Sequence, residues 1–198
     1  FDFIPVTDRT SDSDRKGGFF WKGCPEVAGV QDWTHSNSLF AGRRGNQIMS
    51  IPHLGQVVSI APDFQSLEWR LGGPGSDFTF PDLSDRFYRQ HAAKELPNGN
   101  ILLFDNGSSR PDDEGGEYSR ALELQLDFDD MTATKVWEYR RQPDNYSECC
   151  SNVVRLLNGN TVVLFLDLTT DDLCCRVNTL VASITSSTWL SAGFASSK

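Results

Sequence analysis

Two of the chain's three histidines lie in polar segments next to predicted turns, and they are the first candidates for chemistry. His35 stands two residues before Asn37 in the segment Asp-Trp-Thr-His-Ser-Asn-Ser, and His91 follows Gln90 a few residues ahead of an Asn-Gly turn. An imidazole serves as a nucleophile or as a general acid or base near neutral pH. Side chains two apart on an extended strand share a face, so His35 and Asn37 can present hydrogen-bond donors together. His35 and His91 are therefore the first candidates for nucleophilic or acid/base work.

A repeated turn-and-strand unit surrounds the second histidine segment. The run LPNGNILLF over 96–104 recurs as LLNGNTVVLF over 156–165, and the first residues of the two runs are 60 positions apart. Each copy reads as a polar Asn-Gly turn followed by an apolar run of strand length. Elsewhere, alternating strands lead through a short turn into a second strand that carries a tryptophan; these tryptophans are Trp69, Trp137 and Trp189.

The order of these units predicts an all-β chain: a β-propeller, or a partial propeller, made of four-stranded antiparallel blades. Neighbouring blades cover one another's apolar faces, so several must stand side by side. We expect the three tryptophans at equivalent blade positions and strands at Ile101–Phe104, Ala121–Leu126, Lys135–Tyr139 and Thr161–Phe165. An ordinary β-sandwich with coincidental Asn-Gly turns is the alternative, and the shared order of turn and tryptophan strand disfavours it.

The length of the chain sets its predicted organisation. A closed propeller needs at least about four blades, whereas 198 residues at the observed spacing supply little more than three. We expect a fragment, a propeller completed by another chain, or a diverged short form. The predicted organisation is an N-terminal segment over 1–30 without an assigned fold, blades over 31–190 and a tail over 191–198.

Composition and charge exclude two classes of partner. The net charge is −9 and the pI is about 4.7, which argues against nucleic acid or an anionic membrane surface. No apolar run is long enough to span a bilayer.

Five cysteines include two adjacent pairs; they are Cys24, Cys149, Cys150, Cys174 and Cys175. The two-residue spacing typical of zinc sites is missing, so we expect no metal and no cofactor. We predict a disulfide that joins the Cys149/Cys150 loop to the Cys174/Cys175 loop, in an exported, secreted or otherwise oxidising location.

Several of these segments together resemble the aryl-sulfate sulfotransferases, from about Asp32 to Asp172. They are the Trp-Thr-His-Ser-Asn-Ser segment, Ile-Met-Ser-Ile-Pro-His-Leu over 48–54, Gln90-His91, Leu-Phe-Asp-Asn-Gly over 103–107 and Tyr-Ser-Arg-Ala over 118–121. The resemblance implies a bladed propeller, usually exported, that moves a sulfuryl group from one phenol to another without a nucleotide donor.

The resemblance also implies roles for individual residues. His91 matches the histidine that becomes transiently sulfated, and His35 and Asn37 match a pair of donors to the sulfuryl oxygens. Arg120 and His53 are candidate substrate contacts, although the residues themselves favour structural roles, in which Arg120 anchors a loop and His53 fills the interior. Two features depart from the family: Pro52 stands where an arginine usually precedes the histidine, and the family's further histidine motif upstream is missing.

Two functions from different classes follow. The first is nucleotide-independent sulfuryl transfer from an aryl sulfate to a phenolic acceptor through a sulfated histidine. The alternative is a non-catalytic propeller that acts as a binding or accessory subunit of a larger assembly. The expected partners are a phenolic or aryl sulfate small molecule and, in the second case, other protein chains that complete or dock the propeller.

Overall fold

The computed structural model describes residues 34–167 and 179–185, and these ranges form three antiparallel sheets. The first sheet contains β1 (Ser38–Ala41), β2 (Gln47–Ile51), β3 (Gln56–Ile60) and β4 (Leu67–Leu71). The second contains β5 (His91–Glu95), β6 (Ile101–Asp105), β7 (Arg120–Asp127) and β8 (Thr132–Tyr139). The third contains β9 (Asn152–Arg155), β10 (Thr161–Asp167) and β11 (Thr179–Thr185). Short 3-10 helices lie at Pro52–Leu54, Leu83–Asp85 and Asp112–Glu114.

This architecture confirms the all-β prediction and the four-stranded antiparallel sheets. Within each sheet, strands that are consecutive along the chain pair with each other, and the four predicted strands lie within β6, β7, β8 and β10. The predicted domain boundaries near 30 and 190 lie outside the described residues and stay predictions. Within those residues, no helix is long and apolar enough to cross a membrane.

The Asn-Gly turns repeat in structure as they do in sequence. The Leu96 N–H donates to the Asn100 carbonyl and the Gly99 N–H donates to the Leu96 carbonyl, and the same two bonds recur 60 residues later. Gly99 and Gly159 have φ angles of 91° and 84°, a left-handed conformation that glycine adopts without steric cost. The turn chemistry therefore fixes where each hairpin reverses.

Alternation along β6 gives the middle sheet a hydrophobic core on each of its two faces. Ile101 and Leu103 pack toward the first sheet, whereas Leu102 and Phe104 pack toward the third. All four side chains are fully buried, and burying a side chain of this size contributes about 1.5–3 kcal/mol. The middle sheet is thus covered on both faces, as a blade between two neighbours is.

The prediction that the tryptophans occupy equivalent positions is confirmed for two of the three. Trp69 and Trp137 both lie on the last strand of a four-stranded sheet, and each packs with a core that two sheets share. Trp189 lies outside the described residues.

Candidate functional site

The site forms where the first strands of the three sheets begin. Strand β1 contacts β5 and β5 contacts β9, so the first strands lie side by side. His35 and Asn37 precede β1, His91 begins β5, and the Cys149–Ser151 segment precedes β9. Because β1 and β2 are antiparallel, His53, just after β2, lies at this same end. Equivalent points of successive repeats therefore meet at one end of the molecule.

The structure brings His35, Asn37, His53 and His91 together. The rings of His35 and His53 stack with centroids 4.7 Å apart and an angle of 15° between their planes. The Asn37 Nδ2 donates to the Gln90 carbonyl at 2.8 Å. His35 also lies close enough to His91 to lower the pKa of that ring.

The expectation that His35 and Asn37 share one face of an extended strand is wrong. His35 has a φ of 47°, which is left-handed, and β1 begins only at Ser38. The chain therefore turns at His35, and its ring stacks on His53 while the Asn37 amide nitrogen bonds the Gln90 carbonyl. Asn37's predicted donation to a sulfuryl oxygen stays a prediction.

Irregular backbone surrounds His91. Arg89 and Ala92 have φ angles of 54° and 55°, and the pairing of β5 with β6 shifts between His91 and Lys94. Left-handed residues other than glycine cost about 1–3 kcal/mol each and collect at functional sites. A bulge of this kind re-aims a side chain away from the regular alternation of a strand. The irregularity therefore sets the direction of the His91 ring.

Hydrogen bonds fix the protonation of the His91 ring. Its Nδ1 lies 2.8 Å from Asn106 Oδ1 and 3.3 Å from the Arg89 carbonyl, both of which are acceptors. The Cys150 backbone N–H donates to Nε2 at 3.1 Å. Nδ1 therefore carries the proton, and the lone pair is on Nε2.

Burial keeps this ring neutral. Removal from water is the main cause that lowers the pKa of His91 to about 4, and His35 acts in the same direction. The hydrogen bonds with Asn106 and with the Arg89 carbonyl act in the opposite direction but are weaker. At neutral pH the ring is uncharged and its Nε2 lone pair accepts the Cys150 N–H; an uncharged imidazole with its lone pair on Nε2 is the form that a histidine nucleophile requires.

Asn106 contacts the candidate nucleophile and is not among the site residues predicted from the sequence. Its Nδ2 donates to the Ser147 carbonyl at 2.8 Å and to the Cys150 carbonyl at 3.3 Å, which turns Oδ1 toward His91. In the sequence, the usable signal was its position just after the predicted strand Ile101–Phe104. The structure adds that Phe104 on this strand pairs with His91, which brings Asn106 beside the histidine.

Gln90 ties the first sheet to the second beneath the site. It is fully buried, and its Nε2 donates to Ser50 Oγ at 3.1 Å and to the Gln56 carbonyl at 2.7 Å. Its own carbonyl accepts from Asn37 Nδ2 and from Ser50 Oγ. These bonds hold the backbone that precedes His91 against β2 and β3.

Arg120 lies in a buried ion cluster at the same end of the second sheet. Its Nε donates to Asp105 Oδ2 at 3.0 Å and its Nη1 to Glu138 Oε2 at 2.9 Å, while Nη2 donates to two backbone carbonyls. Arg110 shares the same Asp105 oxygen. All three guanidinium nitrogens of Arg120 are thus engaged within the protein, an arrangement that fits its alternative role as a loop anchor. Its contact with a substrate stays a prediction.

Arg89 is a second residue that the sequence interpretation missed. Its side chain is half-buried two residues before His91, where burial lowers the pKa of Arg89 and the nearby Tyr146 phenol acts against that shift. Pro52, by contrast, begins the 3-10 helix that carries His53. Arg89 is thus a cationic residue two positions before His91 in a chain whose expected arginine is replaced by proline.

The structure describes only one of the two cysteine loops that the sequence predicts to be joined by a disulfide. Cys149 and Cys150 are both thiols in this structure, with their sulfur atoms 3.5 Å apart. Their predicted partners, Cys174 and Cys175, lie outside the described residues, and the disulfide stays a prediction. Within the described ranges, no group of three or more His, Cys, Asp or Glu residues is arranged to hold a metal ion.

Comparison with known proteins extends the resemblance over most of the chain. The family model described as Arylsulfotransferase (ASST) matches residues 12–188. Arylsulfate sulfotransferase AssT of Escherichia coli O6:H1 (strain CFT073) is 28% identical over a match that covers 68% of this chain. The match covers 28% of that relative's own length.

Proposed function

The chain belongs to the arylsulfotransferase family, and from that premise we propose that it moves a sulfuryl group from an aryl sulfate to a phenolic acceptor through a sulfated His91. One observation carries the proposal: the His91 Nδ1–H donates to Asn106 Oδ1 and leaves the lone pair on Nε2 of a neutral ring. The family predicts a nucleophile at this position, and the geometry supports that assignment.

The proposed reaction has two displacements at sulfur. In the first, the Nε2 lone pair forms an N–S bond while the bond from sulfur to the aryl oxygen breaks and a phenolate leaves. In the second, the oxygen of an acceptor phenol bonds to sulfur, the N–S bond breaks and the phenolic proton passes to solvent. His91 is regenerated with its proton still on Nδ1, so the ring is unchanged after one cycle.

Asn106 has a defined part in this scheme. The ring gains positive charge when Nε2 bonds to sulfur, and the Nδ1–H bond to Asn106 Oδ1 strengthens as that charge develops. The Asn106 bonds to the Ser147 and Cys150 carbonyls keep its oxygen in place before the reaction begins. Asn106 thus acts as an orienting residue for the nucleophile.

The Cys150 N–H must leave Nε2 before sulfur can approach that nitrogen. On the sulfated ring the same N–H lies beside the new N–S bond, from which it can donate to a sulfuryl oxygen. The segment before β9 therefore adjusts once in each cycle in the proposed mechanism.

The finer architecture is part of the proposal. The three sheets are proposed to be neighbouring blades of a propeller, with the remaining blades supplied by further chain or by another protein. The shared cores on both faces of the middle sheet and the side-by-side first strands support this arrangement. An exported or oxidising location is proposed as well, on the cysteine content and the family resemblance.

A non-catalytic binding or accessory role is the second candidate. The observation that favours it is the Cys150 N–H on Nε2, which occupies the lone pair that the reaction requires. Pro52 also removes a cation that the family uses.

Trapping the intermediate separates the two functions. The full chain is mixed with 4-nitrophenyl sulfate and quenched at alkaline pH, and its mass and peptides are then measured. Sulfuryl transfer predicts one added sulfuryl group, located on His91 and absent from His91→Ala. Asn158→Ala, which changes an exposed turn at the opposite end of the third sheet, should behave as wild type. Absence of any sulfated histidine, with no nitrophenol released, would leave the accessory role in its place.

A further inference from the structure

A pair of adjacent thiols is connected directly to the candidate nucleophile. Cys149 is buried and Cys150 is exposed, and both belong to the segment that leads into β9. The Cys150 N–H donates to His91 Nε2, and its carbonyl accepts from Asn106 Nδ2. His91, Asn106 and Cys150 therefore form one hydrogen-bonded cluster. A change in the Cys149–Cys150 backbone acts directly on the hydrogen bond to the His91 imidazole.

The backbone of this segment is already strained. Cys150 and Ser151 have φ angles of 59° and 76°, in the left-handed region that favours glycine. Such conformations cost free energy and persist at switch regions and functional sites. The segment therefore holds a conformation that its own residue types disfavour, and hydrogen bonds to Asn106 and His91 help to keep it there.

We propose that Cys149 and Cys150 form a redox modification site that reacts with small-molecule disulfides and closes a Cys149–Cys150 disulfide. The Cys150 thiolate attacks one sulfur of the small disulfide and displaces one small thiolate, which takes up a proton. Cys149 then loses its proton, attacks the Cys150 sulfur and displaces the second small thiolate. Two protein thiols are oxidised to one disulfide while the small disulfide is reduced to two thiols.

Exposure and proximity support this reactivity. Cys150 is solvent-exposed, and its sulfur lies 3.5 Å from that of Cys149. Hydrogen bonding with Cys149 lowers the pKa of Cys150 to about 7, which favours the reactive thiolate near neutral pH.

Ring closure must move the group that contacts His91. A disulfide brings its sulfurs to about 2 Å, and its Cα atoms are usually at least about 4.4 Å apart, whereas consecutive Cα atoms are about 3.8 Å apart. The ring closed here contains the Cys149–Cys150 peptide, whose N–H is the donor to His91 Nε2. The peptide therefore has to reorient, and the bond to Nε2 breaks.

The consequence for His91 has a definite sign. A donor to Nε2 stabilises the neutral ring, so its loss raises the pKa of His91. The expected rise is about half to one pH unit, the effect of one neutral hydrogen bond. Oxidation also exposes the Nε2 lone pair, and if the proposed sulfuryl transfer holds, sulfation of His91 becomes faster.

The test uses the full chain, reduced and then treated with glutathione disulfide. Peptide mapping should find Cys149 bonded to Cys150, and NMR titration of the histidine ring nitrogens should give a higher pKa for His91 in the oxidised sample. Cys149→Ser and Cys150→Ser keep the peptide N–H but cannot close the ring. In these variants the pKa of His91 should be the same before and after treatment with glutathione disulfide.

The proposal competes with the disulfide between the two cysteine loops that the sequence alone predicts. Three results would overturn it: no disulfide within the pair, that pairing with Cys174 or Cys175 instead, or a closed ring with an unmoved His91 titration. Because the NMR measurement needs no aryl sulfate, it stands even if sulfated His91 is never trapped. Failure of the proposed function and failure of the redox site are thus separate outcomes.

Discussion

Replacing Asn106 with alanine tests how the nucleophile is oriented. The change removes the acceptor 2.8 Å from His91 Nδ1 and both of the bonds that Asn106 Nδ2 makes to backbone carbonyls. The rate depends on how much this bond strengthens as the ring becomes charged: hydrogen bonds to charged groups are worth about 1.5–3 kcal/mol and neutral ones about 0.5–1.5, a difference of about 1–2 kcal/mol, or about 5- to 30-fold in rate. The Arg89 carbonyl, 3.3 Å from Nδ1, remains as a poorer acceptor. We therefore expect a loss near the lower part of that range, about tenfold.

The assay is the rate at which His91 becomes sulfated during a single turnover of 4-nitrophenyl sulfate. The pKa of His91 should also fall further, because the Asn106 bond raises it in the wild type. Asn158→Ala removes the same residue type from an exposed turn and serves as the matched control. A folded Asn106→Ala protein that is sulfated at the wild-type rate, with an unshifted His91 titration, would refute the orienting role.

Three further predictions concern pH and stability. The pKa of His91 is about 4 in the folded chain and about 6.5 when unfolded. As the pH falls, His91 is therefore protonated in the unfolded chain before it is protonated in the folded chain. Stability should therefore be full above about pH 6.5 and fall as the pH drops toward 4, and urea unfolding of His91→Gln should show a weaker pH dependence. Phe104→Ala should cost about 3–5 kcal/mol in urea unfolding because it opens a cavity between two sheets, whereas exposed Phe64→Ala should change stability by no more than about 0.5 kcal/mol. Gly107→Ala should lower the melting temperature more than Gly115→Ala, since a Cβ at Gly107 would lie 1.9 Å from a backbone oxygen and one at Gly115 has 3.5 Å to its nearest atom.

Features encoded by neighbouring residues could be predicted from the sequence. The Asn-Gly turns and the apolar runs after them specify hairpins locally, and β6 and β10 lie where those runs stand. The order of turn and tryptophan strand placed Trp69 and Trp137 correctly, because repeats of one unit stack in the same way. Family motifs further indicated that His35, Asn37 and His91 belong together, and the structure brings them to one end.

The features of the site that the sequence did not predict depend on contacts between distant parts of the chain. Asn106 reads as a turn residue until the pairing of His91 with Phe104 shows which end of β6 it follows. The Cys150 N–H reaches Nε2 across 59 residues, and no pattern in the sequence marks a backbone donor. The sequence left two roles open for Arg120, a loop anchor or an anion contact, and only the structure shows Asp105 and Glu138 from neighbouring strands pairing with it.

Repetition of the scaffold also explains how an asymmetric site can arise. The first strands of three successive sheets begin at the same end, and the chain just before or at each start carries a different group: the Asn37 amide, the His91 ring and the Cys150 N–H. The repeated fold supplies equivalent positions, and the irregular backbone at His35, His91 and Cys150 then directs each group differently. Since strand alternation alone would point equivalent residues the same way, the left-handed residues are what convert a repeated architecture into a single cluster. Reorienting the Cys149–Cys150 peptide, as oxidation is proposed to do, should therefore alter the site while leaving the sheets intact.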